Sequence, residues 1–219
     1  MKNAAVMWSG GKDSAYGLEK VLKRNDIEVK KLITTVSQKK DRITIHGVRN
    51  QLIEKQADRL GIKLQKIEVP ENLDEQEYNQ LIKNKLRQLN LQNIVYSDIF
   101  LDDVREKKET RLKELGLNGI WPLWDEDTSK LSREILETGI KARVVAVDGD
   151  RLEKQATGRE YNKKFIRDYK DTIDPCAEEG RFHTFVHDSP SFSSPIKIKN
   201  GEVVEKTANG KKFYFQQLK

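Results

Sequence analysis

The sequence contains little cysteine, proline and methionine, and it has no long apolar run. Cys176 is the single cysteine among 219 residues, which excludes an internal disulfide framework. No apolar stretch approaches the length of a membrane span, and no apolar signal core precedes Ser9. These absences predict a cytoplasmic protein with no membrane partner.

Charge is abundant but evenly mixed. Charged residues make up 35% of the chain and hydrophobic residues 36%, and the formal net charge is +6. Lysine and arginine stand beside glutamate and aspartate along the helical segments, which is typical of solvated helix faces. The positive excess suits an anionic ligand such as ATP. It leaves the oligomeric state open, and a homo-oligomer is one of the alternatives.

The first 124 residues alternate between strand and helix patterns. Asp74 and Glu77 have the spacing of a capping box that opens the third helix, and Gly61 is placed to end the second. The alternation and the short connections predict an α/β fold with a five-stranded, parallel, doubly wound sheet. In such sheets ligands bind beyond the carboxyl ends of the strands. Strands are expected at residues 4–8, 31–36, 62–69, 93–98 and 119–124.

The pattern changes after residue 124, and we expect a smaller α+β domain over residues 125–219. Asn200-Gly201 and Asn209-Gly210 are typical of hairpin turns, so the tail is predicted to be an antiparallel meander. The expected elements are a helix at 129–137, a strand at 142–147, a helix that carries Tyr161, Phe165, Ile166 and Tyr169, and strands at 182–186, 196–199, 202–207 and 212–216.

A glycine turn separates the first strand from the first helix. It reads Ser9-Gly10-Gly11-Lys12-Asp13-Ser14. Adjacent glycines let the backbone approach an anion, and the following helix directs its N-terminal N–H groups to the same point. The common nucleotide loop has four residues between its glycines and is therefore a different motif. We interpret the turn as a phosphate site in which Asp13 is a helix N-cap, a Mg²⁺ ligand, or both.

The turn resembles the PP-loop, S-G-G-x-D-S, of the HUP-like ATP pyrophosphatases. Together with Asp98, Pro122-Leu123-Trp124 and the stretch Glu178-Glu179-Gly180-Arg181-Phe182-His183-Thr184-Phe185-Val186, it looks like the diphthine–ammonia ligase family. The likeness covers nearly the whole chain, and His46-Gly47-Val48-Arg49 and Ser97-Asp98-Ile99-Phe100 are closest to short bacterial members. Ala177 and Arg181 stand where the family stretch, G-E-x-G-E-F, has its first glycine and its second acid.

The resemblance implies an AMP-forming amide ligase. Such an enzyme adenylates a carboxylate with ATP and Mg²⁺, releases pyrophosphate, and amidates the carboxylate with ammonia. The acceptor is an unknown carboxylate, either a small molecule or a modified protein side chain, and it can differ from diphthine.

Candidate site residues follow from the motif and the resemblance. Ser9 to Ser14 would hold the phosphates, and Lys12 would stabilise charge on the α-phosphate and on pyrophosphate. Asp98 would bind a second Mg²⁺ or ammonia, unless it is a loop acid that caps a helix. The catalytic candidates are Lys12, Asp13 and Asp98, and the substrate-binding candidates are His46, Arg49, Arg105, Glu109, Glu178 and His183.

Some of these assignments have structural alternatives. Arg105, Glu109 and Arg111 could reach the site from the fourth helix, or they could form a solvated helix face. Because alternate residues of a strand face opposite sides, His183 and Thr184 are not expected to line one wall.

Other functions remain open from the sequence. The net charge and the basic segment 37–49 are compatible with tRNA modification, but no RNA-binding module is recognisable, so nucleic acid is not an expected partner. A non-catalytic ATP sensor is a further alternative. Cys176, His183 and His187 do not have a standard zinc spacing. One cysteine argues against sulfur transfer through an internal disulfide but leaves a nucleophilic Cys176 open.

Overall fold

The computed structural model describes residues 1–43, 47–208 and 210–219. His46 and Asn209, which the sequence analysis singled out, lie outside these residues. The first part of the chain contains β1 (Lys2–Met7), α1 (Lys12–Leu22), β2 (Ile27–Ser37), α2 (Asn50–Leu60), β3 (Lys63–Val69), α3 (Glu75–Arg87), β4 (Asn93–Val95), α4 (Asp102–Glu114) and β5 (Asn118–Ile120). The second part contains α5 (Thr128–Glu137), β6 (Lys141–Asp148), a 3₁₀ turn (Lys154–Ala156), α6 (Lys163–Tyr169), β7 (Phe182–Asp188), β8 (Asn200–Ala208) and β9 (Lys211–Leu218).

The five-stranded sheet is parallel throughout and has the order β3-β2-β1-β4-β5. This confirms the predicted α/β fold. The strand order reverses between β1 and β4, which is the position where ligands bind in open α/β sheets. The turn after β1 and the segment after β4 therefore meet at one edge of the sheet.

Local signals at several helix ends are confirmed. The Asp74 carboxylate accepts from the Glu77 N–H at 2.8 Å, and the Glu77 side chain accepts from the Asp74 N–H at 3.0 Å. Gly61 ends α2 in the left-handed conformation, with φ of 65°. β4 and β5 are only three residues long each, shorter than predicted.

The second sheet is antiparallel and has the order β7-β6-β9-β8. β6 lies between β7 and β9, so the predicted meander is wrong, although β8 and β9 do form a hairpin that includes Gly210. The predicted strand at 196–199 and hairpin turn at Asn200-Gly201 are also wrong. Asn200 begins β8, and its side-chain amide donates to the Gly158 carbonyl at 2.9 Å, so a long-range contact overrides its local turn preference.

One apolar cluster packs on a face of the parallel sheet and continues into the second part of the chain. It joins Val6 and Leu32 to Val144 and Phe185, all fully buried. A smaller cluster covers the other face, around Ile33, Ile67, Ile82 and Ile94. None of the helices in the described parts of the chain is both long and apolar enough to cross a membrane.

Gln56, fully buried in α2, connects the turn after β1 with β7. Its Oε1 accepts from the Trp8 indole N–H at 2.8 Å. Its Nε2 donates to the Gly10 carbonyl at 3.0 Å and to the Val186 carbonyl at 2.6 Å. Because an unpaired buried polar group is costly, this set of bonds holds the turn in one position against the second sheet.

Candidate active site

Within the Ser9–Ser14 turn, Gly10 adopts the left-handed conformation, with φ of 77°. A Cβ at this position would lie 2.5 Å from the Ile53 Cδ1 atom, so only glycine fits. The Ser9 hydroxyl accepts from the Gly11 N–H at 3.2 Å, and the Ser14 hydroxyl donates to the Gly11 carbonyl at 2.9 Å. Gly11 is the N-cap of α1, so the N-cap alternative for Asp13 is wrong, and Asp13 lies in the first helical turn.

Lys12 is buried, with 2% of its surface exposed. Its Nζ lies 2.9 Å from both carboxylate oxygens of Asp13 and donates to the Cys176 carbonyl. The rings of Tyr161 and Phe182 have their centroids 5.3 and 5.2 Å from the same atom. Burial is the largest single influence and would lower the pKa of Lys12. The charge of Asp13, its hydrogen bond and the other acidic groups nearby together raise the pKa, so the ammonium stays protonated.

The second part of the chain also contacts the backbone of the turn. The Thr184 hydroxyl accepts from the Lys12 N–H at 3.0 Å, and the Val186 N–H donates to the Gly10 carbonyl at 2.8 Å. The turn is thus held between α2 and β7.

A cavity of about 400 Å³, here called the main cavity, opens beside the turn at the carboxyl edge of the parallel sheet. Ser9, Lys12, Asp13 and Ser14 border it on one side, and residues 176–178 and 180–184, except Arg181, border it on the other. Ser97 and Asp98 line it from the end of β4, as expected for the strand-order reversal. A further part of its wall is formed by Met7, Ile33, Thr34, Thr35, Tyr78 and Tyr96.

Two further carboxyl groups border the main cavity. Asp98 accepts from the Lys108 ammonium at 2.7 and 2.6 Å, and it does not cap α4, whose N-cap is Leu101. Glu178 accepts from the Ile99 N–H at 2.7 Å. Burial, with the nearby charges of Asp13 and Asp98, raises the pKa of Glu178 to about 7.

This donor set fits Mg²⁺. The ion is usually bound by one or two protein carboxylates and completes its shell with phosphate oxygens and water. Asp13 and Asp98 both border the main cavity and supply such carboxylates. Within residues 1–43, 47–208 and 210–219, no cluster of three or more His, Cys, Asp or Glu side chains forms a metal site made by protein ligands alone.

Three of the predicted substrate-binding residues do not line the main cavity. The Arg105 guanidinium lies over the rings of Trp121 and Trp124, at 4.8 and 4.4 Å, and its Nε donates to Glu109 at 2.6 Å. Arg49 is the exposed N-cap of α2. The residues of α4 that line the main cavity are instead Lys108 and Arg111.

His183 and Thr184 both border the main cavity, and the expectation that they do not line one wall stays a prediction. β7 is the edge strand of its sheet.

Sequence reasoning missed Tyr78, Tyr96 and Lys108. The Tyr96 ring stacks on Trp121 at a centroid distance of 5.6 Å. The Lys108 ammonium, which donates to Asp98, also lies 4.8 Å from the centroid of the Tyr96 ring. Tyr96 directly follows β4, so its position at a strand end was the one available signal. Tyr78 reads in the sequence as an ordinary apolar residue of α3.

Two family models match the chain. The diphthamide synthase N-terminal domain matches residues 1–119, and the diphthamide synthase C-terminal domain matches residues 127–216. The chain belongs to the diphthamide synthase family.

Curated relatives in this family are diphthine–ammonia ligases. The chain is 30% identical to the one from Schizosaccharomyces pombe over 105 residues, which cover 46% of this chain and 17% of that protein. It is 26% identical to the one from Mus musculus over 141 residues, 59% of this chain and 51% of that protein. The matched region therefore spans about half of the mouse protein and a smaller part of the yeast protein.

The structure shows the backbone conformation of Ala177 and the ion pairs of Arg181, the two residues that differ from the expected family stretch. Ala177 adopts φ of 59°, a conformation that favours glycine. Arg181 pairs with Asp148 at 2.9 Å and with Glu179 at 3.4 Å, and it does not line the main cavity. The charge of Arg181 is thus paired with these two carboxylates outside the main cavity.

Cys176 is 1% exposed, and its thiol donates to the Thr128 carbonyl at 3.4 Å. Burial raises the pKa of this thiol to about 12. Since the thiolate is the nucleophilic form, the environment does not favour a nucleophilic Cys176.

We expect Cys176 to resist alkylation by iodoacetamide at pH 8 in the folded protein. A rise of the pKa from 9.0 to about 12 lowers the thiolate fraction by about three orders of magnitude. Mass spectrometry should show no adduct under native conditions and complete labelling in denaturant. Rapid labelling of the folded chain would contradict the described environment.

Proposed function

We propose that the protein is an ATP-dependent, AMP-forming ligase that joins ammonia to a carboxylate. The observation that carries the proposal is the buried, protonated Lys12, which borders a cavity between the Ser9–Ser14 turn and residues 176–184. The relatives named diphthine–ammonia ligase support ATP and ammonia as substrates. We also propose that residues 1–124 bind ATP and that residues 125–219 contribute the acceptor side.

ATP would bind with its phosphates at the N-terminus of α1. The helix dipole and the Lys12 ammonium favour negative charge there. The nucleoside would extend toward the wall that contains Met7, Ile33 and Tyr78, because that part of the main cavity is largely apolar.

In the first step, a carboxylate oxygen of the acceptor forms a bond to the α-phosphorus. The bond from that phosphorus to the oxygen bridging the α and β phosphates breaks, and pyrophosphate leaves. Lys12 offsets the charge that develops on the α-phosphate and on the leaving group. Asp13 and Asp98 would hold Mg²⁺, which would supply positive charge beside the polyphosphate.

In the second step, the nitrogen of ammonia attacks the carbonyl carbon of the acyl adenylate. The bond from that carbon to the AMP oxygen breaks, AMP leaves, and the nitrogen loses one proton. Glu178 borders the cavity and has a pKa near neutrality, so its carboxylate can accept this proton.

The test is to incubate the protein with ATP, Mg²⁺, ammonium and a panel of carboxylates, and to measure the nucleotide products. We expect equal amounts of AMP and pyrophosphate, and hydroxylamine in place of ammonium should trap the activated carboxylate as a hydroxamate. Release of ADP and phosphate would contradict the mechanism. ATP binding without AMP release from any panel member or cell extract would favour the sensor alternative.

A further inference from the structure

A second cavity, here called the basic cavity, adjoins the main one and has a volume of about 610 Å³. It lies between the end of β2, the segment after β3 and the β8–β9 hairpin. Ile43, Gly180 and His183 line both cavities. A molecule held in the basic cavity can therefore extend toward the PP-loop past these three residues.

Positive charge is concentrated in the basic cavity. Lys40, Arg42 and Lys206 line it, and Glu71 is the carboxylate among its lining residues. Glu71 is shared, since both Lys39 and Lys40 pair with it, at 3.2 and 3.1 Å. Within the part of the chain that the structure describes, Arg42 and Lys206 have no carboxylate within ion-pair distance.

The cations in this cavity repel one another. Burial lowers the pKa of Lys206, and the charges of Arg42 and Lys40 lower it further. Burial, followed by the charge of Arg49, lowers the pKa of Arg42. An anion between these side chains would relieve the repulsion, whereas a cationic ligand would increase it.

The basic cavity also has an aromatic wall. Phe213 and Phe215 line it, with their ring centroids 6.3 Å apart, and the Lys206 ammonium lies 5.3 Å from the Phe215 centroid. Cationic groups next to an apolar wall suit an organic anion, and the concave shape and volume suit a small molecule rather than a polymer backbone.

We propose that the basic cavity binds the acceptor of the ligase reaction, and that this acceptor carries a phosphate or a second carboxylate besides the carboxylate that is activated. The inference rests on the proposed function. The carboxylate to be activated would reach the main cavity past His183, while the second anionic group stays between Arg42 and Lys206.

The test is a calorimetric titration with 3-phosphoglycerate, which carries one carboxylate and one phosphate. Succinate, butyrate and glycine betaine serve as dianionic, monoanionic and cation-bearing comparisons. The titrations are run with and without saturating α,β-methylene-ATP and Mg²⁺, because this nucleotide occupies the PP-loop and cannot be cleaved there. Lys206→Met is compared with Lys199→Met, which removes an exposed charge outside both cavities.

We expect 3-phosphoglycerate or succinate to bind at least tenfold more tightly than butyrate and glycine betaine. Lys206→Met should weaken that binding about tenfold, the effect of losing one charge-assisted hydrogen bond. Lys199→Met should leave it unchanged. Absence of binding, equal binding to Lys206→Met, or a preference for glycine betaine would overturn the inference.

The same titrations distinguish a failure of this inference from a failure of the proposed function. Binding of the ATP analogue without any binding of the dianions would overturn the acceptor inference alone. Failure of the ATP analogue to bind would overturn the proposed function, while the titrations without nucleotide would still report on the basic cavity. Tighter binding of a tRNA pool than of the dianions, lost in Lys206→Met, would overturn the small-molecule acceptor in favour of RNA.

Discussion

Replacing Lys12 with methionine is expected to lower the rate of AMP release by about a thousandfold, the effect of removing a preorganised charge from the reacting group. Methionine is unbranched and of similar length, and its thioether can occupy the place of the ammonium beside the rings of Tyr161 and Phe182. Asp13 loses its partner, but its side chain is 28% exposed, so water can solvate the freed carboxylate in part. The loss should therefore fall mainly on catalysis.

The measurement is single-turnover AMP release at saturating ATP, with the unfolding midpoint recorded for each variant. Lys20→Met is the matched control, because Lys20 lies on the same helix but pairs with Glu126 near the surface, at 3.3 Å. It should retain the activity of the unmodified protein. AMP release by Lys12→Met within tenfold of the control, in a folded protein, would remove Lys12 from the catalytic assignment.

Gly10→Ala should have the largest effect on stability, a loss on the order of 3 kcal/mol in the free energy of unfolding. Two costs add at this position. The left-handed φ of 77° disfavours any Cβ, and the new methyl would lie 2.5 Å from Ile53 and 2.7 Å from the Gln56 side-chain oxygen. Moving Gln56 away would break its bonds to Trp8 and to the Val186 carbonyl.

Gly61→Ala separates the two costs. Gly61 also has a positive φ, of 65°, but no atom lies within 4 Å of the position its Cβ would take. Its expected cost is about 1 kcal/mol, the conformational cost alone. The free energy of unfolding of both variants is measured by urea denaturation. Equal decreases would mean that Ile53 and Gln56 move to accommodate the new methyl group without a measurable loss of stability.

The parallel sheet was predictable because its signals are local. Apolar strands, helix caps such as Asp74 and the glycine turn at Gly10 each act over a few residues, and together they indicate one topology. The convergence of the Ser9–Ser14 turn with Asp98 followed from that topology.

The side of α4 that faces the cavity could not be predicted. This helix is polar almost all around, and only Arg111 and Leu112 are buried in it, so its pattern does not define an inward face. Arg105 and Glu109 were therefore as plausible as Lys108. The tryptophans that contact Arg105 come from beyond β5, and no local signal pairs them with it.

The second sheet was harder to predict because its strands pair across long separations. β6 inserts between β7 and β9, and nothing near Asn200 in the sequence indicates that its side chain bonds to Gly158. Tertiary contacts of this kind override turn preferences, which describe a residue and its immediate neighbours only.

The bonds between the Ser9–Ser14 turn and β7 have a consequence for biosynthesis. Thr184 follows Lys12 by 172 residues, and the ribosome makes the chain from its N-terminus. The five-stranded sheet can form as soon as β5 has emerged, but the turn lacks Cys176, Thr184 and Val186 until most of the chain has been translated. The Ser9–Ser14 turn is thus among the first segments made, yet its contacts to β7 can form only late in translation.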